Sequence, residues 1–289
     1  MVTGVISASD FSNFEPKLIA ETRYTLQYKT LMPQLVRRER LPESMGRTYN
    51  VPKHGTVTAT ALTEGVPLAV GQIPSQGNTA IVPAEVGVEV ILTDVALGSG
   101  RDDYARQMGR VMGDAMAKKL DVDGIAQFPS FTTTIGTSGT ARAVGHITAA
   151  VARLASAAEP APKPWWYVDR PEPMRLILNT VAPTGTYPVA AGLSREIMDM
   201  YFLHDFKLYG LSGGFATVNQ PTSGATDTTG CIFSQDSIIY VEAHPVRFER
   251  DRDIELRGWL LTSVARYAYG IYVATWGVPM NGDATAPVA

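Results

Sequence analysis

Along residues 85–128, EVGVEVILTDVALGSGRDDYARQMGRVMGDAMAKKLDVDGIAQF, the spacing of apolar residues changes once. Val86, Val88, Val90 and Leu92 alternate with Gly87, Glu89 and Ile91, the two-residue period of a strand. After a Gly-Ser-Gly break the spacing becomes helical. Tyr104, Met108, Val111, Ala115, Val122 and Ala126 share one sector at about 100° per residue. Arg106, Gln107, Arg110, Asp114 and Asp121 fall opposite. The pattern predicts a helix from Ser99 or Gly100 to about Phe128, roughly 40 Å long. Ser99 can cap it, and Asp102 and Asp103 suit the positive end of its dipole. Asp102 with Arg106, and Asp114 with Lys118, are spaced for i,i+4 pairs. Gly109 and Gly113 weaken the helix, so tertiary packing must hold it. Nothing in the segment can do chemistry; it reads as a beam.

Upstream, GTVTATA (55–61) alternates Thr56, Thr58 and Thr60 with Val57, Ala59 and Ala61, again strand period. A stretch broken by Gly65, Pro67, Gly71, Pro74, Gly77 and Pro83 separates it from the valine strand. Two strands around a long irregular tip predict a projecting hairpin that leans on a neighbouring subunit, since an isolated hairpin is marginal in water. Residues 1–45 carry Leu18, Leu26, Leu31 and Leu35 without a clean period. Pro16, Pro33 and Pro42 limit helix length there, and the basic cluster Arg37, Arg38, Arg40 closes the segment. The expectation is an arm that crosses other surfaces; a helix packed on its own core is the alternative.

Downstream, 129–145 reads as a connecting loop and HITAAVARLASAA (146–158) as a helix stopped by Pro160, Pro162 and Pro164. MRLILN (174–179) reads as a short buried strand, SREIMDMYFLHD (194–205) as a helix and 217–230 as a polar loop. Ile238–Glu242 is a strand, and RFERDRDIELRGWLLTSVARYAYGIYVATW (247–276) is two or three more. Ile254, Leu256, Leu260 and Val264 are expected on one face, with Trp259 and Leu261 on the other. Apolar residues on both faces imply cover from both sides. The tail NGDATAPVA is expected to be flexible. No internal repeat is visible.

Composition narrows the function. Only 18 % of the 289 residues are charged, so much of the surface is expected against something other than water. Lys+Arg 25 against Asp+Glu 28 argues against a dedicated nucleic-acid binder, but not against a chain that merely surrounds nucleic acid. Cys231 stands alone, so no intrachain disulfide is available, and it reads as a small buried apolar residue. No signal peptide and no membrane span are expected.

The candidate chemistry is thin. Gly210-Leu211-Ser212-Gly213-Gly214 matches G-x-S-x-G, but a nucleophile elbow needs a helix after the serine and FATVNQPTSG follows. A serine hydrolase on Ser212 is the minor alternative. Asp121-Val122-Asp123-Gly124 starts like a calcium loop, yet the glycine comes too early and Ser130 stands where a glutamate is needed, so it reads as a helix stop. His54, His146, His204 and His244 are isolated, and no phosphate loop, dinucleotide fingerprint or Cys-x-x-Cys occurs; no catalytic residue, metal or cofactor is expected. Trp165-Trp166-Tyr167 can stack a ligand, but packing is the favoured role. The mixed-sign run Arg247, Glu249, Arg250, Asp251, Arg252, Asp253, Glu255, Arg257 is either a solvated turn or an ion-pair network between subunits.

In its order of parts the chain resembles the major capsid proteins of tailed bacteriophages, the Hong Kong 97-type fold. The local resemblance lies in VGVEVILTDVALGSG, AMAKKLDVDGIAQF and RFERDRDIELRGWLLTSVARYAYGIYVA. It implies an α+β chain in four parts. Residues 1–45 would be an N-terminal arm and 46–93 an extended loop hairpin. Residues 94–143 and 238–289 would be a peripheral domain with the spine helix, and 144–237 an axial domain, with a last strand able to return to the axial part. It implies hexamers and pentamers of an icosahedral head enclosing double-stranded DNA without sequence-specific grip, assembled in the host cytoplasm. Portal, scaffolding and decoration proteins are the implied partners. Gly98 and Gly100 are the expected hinges; Arg37, Arg38, Arg40, Arg250, Asp251, Arg252 and Asp253 are the expected inter-subunit contacts. Some relatives cross-link through a loop lysine; Lys53 is the one lysine near this loop and is not assigned that role. An encapsulin-like cellular compartment shares the fold and is the alternative. Encapsulins begin with a short helix where phage capsids have an extended arm.

Overall fold

The computed structural model describes residues 20–22, 24–25, 29–42, 46–54, 59, 61, 64, 75–93, 102–174, 177, 211–222 and 226–285. Two four-stranded sheets and one long helix organise them. The first sheet has the order β1-β8-β9-β4. Its strands are β1 (Arg37–Arg40), β4 (Ala84–Thr93), β8 (Ile238–Asp253) and β9 (Gly258–Ile271). The second has the order β10-β7-β5-β6, built from β5 (Trp165–Asp169), β6 (Gly213–Ala216), β7 (Asp227–Ser234) and β10 (Gly277–Asp283). A separate two-stranded hairpin pairs β2 (Tyr49–His54) with β3 (Ser75–Ile81).

The helices are α1 (Met32–Leu35), α2 (Asp102–Ile125) and α3 (Val144–Ala155). The long helix is present, at about 36 Å for its 24 residues, but it is turned to nearly the opposite face. Met112, Met116, Ala117 and Leu120 are buried, while Val111 is 61 % exposed and Ala115 is exposed. The methionines decide the orientation, because they and Leu120 fill the space over the sheet more fully than valine and alanine. The glycines have a packing role. A Cβ at Gly113 would meet Thr22 O at 2.8 Å, and one at Gly124 would meet Met32 Cβ at 2.9 Å. Gly124 is therefore a contact inside the helix, where a stop was expected. The i,i+4 pair expected for Asp114 is replaced by Lys29 at 2.7 Å; Lys119–Asp123 is the i,i+4 pair formed.

Several expectations change. The valine strand β4 pairs with β9 from Ala84↔Tyr267 to Thr93↔Gly258, so it belongs to the first sheet and does not close the hairpin. The hairpin is closed by β3, whose SQGNTAI carries little apolar signal. Most of GTVTATA lies outside the described residues, as does the 194–205 helix. Residues 29–42 are not a free arm. Met32, Leu35 and Val36 are buried with Met116, Leu120 and Phe128, and β1 runs parallel beside β8, so the self-packed alternative holds for this stretch. In MRLILN, Met174 and Ile177 are helical and buried. The polar loop expected at 217–230 ends early, because β7 starts at Asp227. Asn281, Gly282 and Asp283, expected in a flexible tail, are the last residues of β10 and pair with β7. Residues 131–143, expected beside the spine helix, lie on the second sheet, where Ile135 bridges to Met280 and Arg142 is buried.

The helix predicted at 146–158 appears as α3 and packs on β10 and β7. The two sheets share a core: Phe128 and Phe131 join Val168, Cys231 and Phe233 of the second sheet to Tyr240 and Tyr267 of the first. Cys231 is fully buried there, as a small apolar residue would be.

Candidate functional site

The parts that leave this core are the β2–β3 hairpin and the far end of β8–β9. At the hairpin root Ile81 is 3 % exposed, in a cluster with Leu41, Ile239, Val241 and Ala243. Tyr272 Oη donates to Pro52 O at 3.3 Å, and the Lys53 ammonium lies 5.9 Å from the Tyr272 ring centre. Along β3, Gly77, Asn78 and Ala80 are exposed. Tyr49 and Val51 of β2 also pack on the root cluster, which matters because two strands alone have little stability of their own.

The β8–β9 ribbon ends in a turn at residues 254–257, where Arg257 takes φ 47. Asp253 Oδ1 accepts the Glu255 and Leu256 N–H groups at 2.8 and 3.2 Å, and Asp251 Oδ1 accepts the Arg252 N–H at 2.8 Å. Arg247 and Glu249 pair at 2.9 Å, and the Arg252 guanidinium lies 5.4 Å from the Trp259 ring centre. Arg250 is exposed on the same ribbon. The turn lifts Ile254 and Leu256 into solvent at 83 % and 50 % exposure. Both residues therefore leave the β9 face they were expected to share with Leu260. On β9 it is Leu261, Ser263, Ala265 and Tyr267 that are buried. Exposed ion pairs of this kind are worth at most about 1 kcal/mol; two large apolar side chains at a charged tip are the more telling feature.

The basic cluster lies exposed on strand β1. Arg37 pairs with Glu39 at 2.6 Å and Arg38 lies 5.8 Å from the Tyr240 ring centre, both along β1, with Arg40 at its end. Gly98 and Gly100 lie outside the described residues.

Sequence reading missed the polar groups that hold the parts together. Asp121, expected on the solvent face of the helix, is 1 % exposed. Its Oδ1 accepts the Leu31 and Met32 N–H groups at 2.9 and 3.0 Å, and its Oδ2 accepts Asn219 Nδ2 at 3.0 Å. One carboxylate thus caps α1 and ties the β6–β7 connection to α2. Burial pushes its pKa up despite these three donors. Tyr267 Oη donates to Asp123 Oδ2 at 2.9 Å, and burial with that neighbouring carboxylate raises the phenol. In the second sheet Arg142 is ion-paired with Asp169 and donates to Thr228 O and Oγ1 at 2.5 and 3.1 Å. Tyr167 Oη donates to the same Asp169 at 2.8 Å, and burial lifts its pKa to about 12. Gly230 and Gly282 make the slot: a Cβ at either would fall within 2.6 Å of Asp169 or Arg142 atoms. Nothing in the sequence reading paired these glycines, which fell in an expected polar loop and an expected flexible tail.

The minor candidates resolve into structure. Ser212 precedes strand β6, with no helix following, and its Oγ accepts the Trp165 N–H at 3.2 Å. That is not a nucleophile elbow. Trp165 and Tyr167 are buried, and Trp166 lies tilted against Phe215 with ring centres 5.7 Å apart. His146 Nδ1 accepts the Ala143 N–H at 3.1 Å at the start of α3. His244 lines a cavity of about 310 Å³ with Pro33, Arg38, Leu120, Tyr240 and Val246; His204 lies outside the described residues. Among the described residues no three His, Cys, Asp or Glu side chains are placed to hold a metal ion, and no helix is long and apolar enough to cross a membrane.

No protein-family model matches the chain, and no curated protein matches it in sequence. Solved structures do match in fold. A chain of Mycobacterium phage Che8 superposes with a TM-score of 0.65 at 15 % identity, covering 87 % of this chain and 90 % of that one. The mature capsid of bacteriophage PhiM1 gives 0.61 at 13 % identity, covering 89 % and 88 %. The SrpI encapsulin complex from Synechococcus elongatus PCC 7942 gives 0.63 at 10 % identity, covering 89 % of each chain. The chain therefore has the Hong Kong 97-type capsid fold, an α+β arrangement shared along nearly its whole length.

Proposed function

We propose that the chain is a major capsid protein of a tailed bacteriophage. It would self-assemble into hexamers and pentamers of an icosahedral head around double-stranded DNA. The observation that carries this is the shared fold over nearly the whole of both chains, not over one module. The exposed β3 residues of the hairpin and the apolar, charged β8–β9 tip support it, because each would gain cover from another copy of the chain. In this reading the first sheet with α2 is the peripheral domain, the second sheet with α3 and 131–143 the axial domain, and the hairpin the extended loop. Shell contacts would use the tip residues Arg250, Asp251, Arg252 and Asp253. Arg37, Arg38 and Arg40 keep a secondary role, since β1 is already an edge strand of its own subunit. Gly98 and Gly100 remain the proposed hinges; proline at both would block assembly.

The subunit makes no enzyme in this reading. Its work is geometric: many modest contacts per copy, at about 25 cal/mol per Å² of apolar area, sum to a stable shell after ordering costs. The net charge of −3 suits DNA that is enclosed but not gripped. Portal and scaffolding proteins would start and shape the shell, and a decoration protein would bind outside it, all in the host cytoplasm.

A second reading, an encapsulin-like compartment, is favoured by the SrpI likeness and by the helical residues 20–22, 24–25 and 29, since encapsulins begin with a helix. The contents decide. Shells purified from cells carrying the chain and its neighbouring genes should yield nuclease-protected double-stranded DNA. A single co-purified enzyme inside and no DNA would transfer the assignment to the compartment.

A further inference from the structure

We propose that Ile81 seated on Gly270 sets the angle at which the β2–β3 hairpin leaves the first sheet, and so fixes where the hairpin meets a second copy of the chain. The inference rests on the shell reading above. Gly270 lies one residue from the end of the 14-residue strand β9, paired with Ile239 of β8. Glycine weakens a strand and needs a reason there. Backbone strain is not the reason, because Gly270 is absent from the positive-φ glycines Gly46, Gly77, Gly136 and Gly139. Close approach is: a Cβ at Gly270 would meet Ile81 Cγ1 and Cδ1, both at 2.6 Å, and the three nearest heavy atoms all belong to Ile81.

The position of this contact gives it leverage. Ile81 is the last residue of β3, and only Val82 and Pro83 separate it from β4. Pro83 is pinned, its carbonyl accepting Arg266 Nε at 3.3 Å. The other strand is held by Tyr272 on Pro52. The hairpin is therefore held at its root by the buried Ile81 seat on one strand and by an exposed hydrogen bond on the other. The seven-residue β3 spans roughly 23 Å, so a side chain wedged under Ile81 displaces the far end more than the root. Ile81 and Gly270 act as positioning residues; neither needs to touch the second copy.

Gly270→Val is the direct test, because valine is the better strand former and cannot weaken β9 through propensity. The expected result is a subunit that unfolds at an unchanged or slightly lower temperature but loses closed, uniform shells in electron micrographs. The distance between spin labels at Asn78→Cys and Glu89→Cys should shift in the same variant. Ile81→Ala with Gly270→Val, which empties the seat as it fills the socket, should restore both shell and distance. Gly270→Ala should fall between. Uniform wild-type-like shells and an unchanged label distance in Gly270→Val would overturn the seat. So would a double variant that stays as defective as the single one while remaining folded. If the wild-type chain itself never forms shells, the shell reading fails, and the label distance still tests the seat.

Discussion

The two sheets meet in one core yet finish differently. In the second sheet, β7 buries six of its eight residues and β5 four of its five. Its charges are sealed as well, with Arg142 and Asp169 at 1 % and 0 % side-chain exposure. In the first sheet, β4 buries one residue of ten, and β8 is buried from Ile238 to Val241 but mostly exposed from Arg247 onward. Its charges sit at the surface, beside exposed Ile254 and Leu256. The second sheet is completed within the chain. The first is completed at one end only, and the hairpin is attached near that finished end with its strands largely uncovered. In the proposed shell reading this division has a use: one region supplies subunit stability, and the other offers exposed surface to further copies of the chain.

The comparison breaks first if the sealed sheet is opened. Arg142→Met leaves Asp169 charged and buried, which should cost about 3–5 kcal/mol in urea unfolding. Pairing it with Asp169→Leu should recover most of that loss. A cost below about 1 kcal/mol for the single variant would mean that the pair is reached by water.

A smaller loss is expected at the junction. Asp121→Ala removes the cap of α1 and the Asn219 bond, and should cost roughly 1–2 kcal/mol. Asp121 also predicts a pH signature. Burial raises its pKa in the folded state above the ordinary 3.8, so the folded chain takes up this proton first as pH falls. The stability tied to that proton is fully present below the ordinary carboxylate value and is lost as pH rises through the raised one. Relative to Asp121→Asn, the wild type should therefore gain stability on acidification from neutral pH, read as a diverging pair of unfolding curves. Parallel curves would contradict the burial.

The smallest stability change is expected at the open end. Ile254→Ser with Leu256→Ser should move subunit stability by less than about 0.5 kcal/mol, because both side chains already face water. The same variant should assemble poorly, seen as soluble subunits in sedimentation. Normal shells from it would make the tip a bystander.

The sequence revealed β4, most of β9, the beam helix and α3, because their periods run over many residues; β8 was split at Glu242, although it runs unbroken from Ile238 to Asp253. It misassigned partners. The alternation at Val86–Leu92 was read correctly as a strand, but period alone cannot say that β9, about 170 positions away, is its neighbour. The expected face of α2 rested on Tyr104, Met108, Val111, Ala115, Val122 and Ala126, and left out Met112, Met116 and Leu120, which are the residues buried against the rest of the chain. Asp121 looked solvated because its donors come from Leu31, Met32 and Asn219, none of them local. Contacts across such separations leave no mark in spacing. The tip charges were legible as a run, and only the fold showed that they end a ribbon and lift Ile254 and Leu256 outward.

The most direct test of the account is electron microscopy of the purified chain at high concentration, alone and with the proteins encoded beside it. Closed shells with five- and six-fold clusters of subunits are the predicted result, with the hairpin of each copy lying against the next. Particles that remain single subunits under every one of those conditions, with the hairpin folded against its own first sheet, would contradict it.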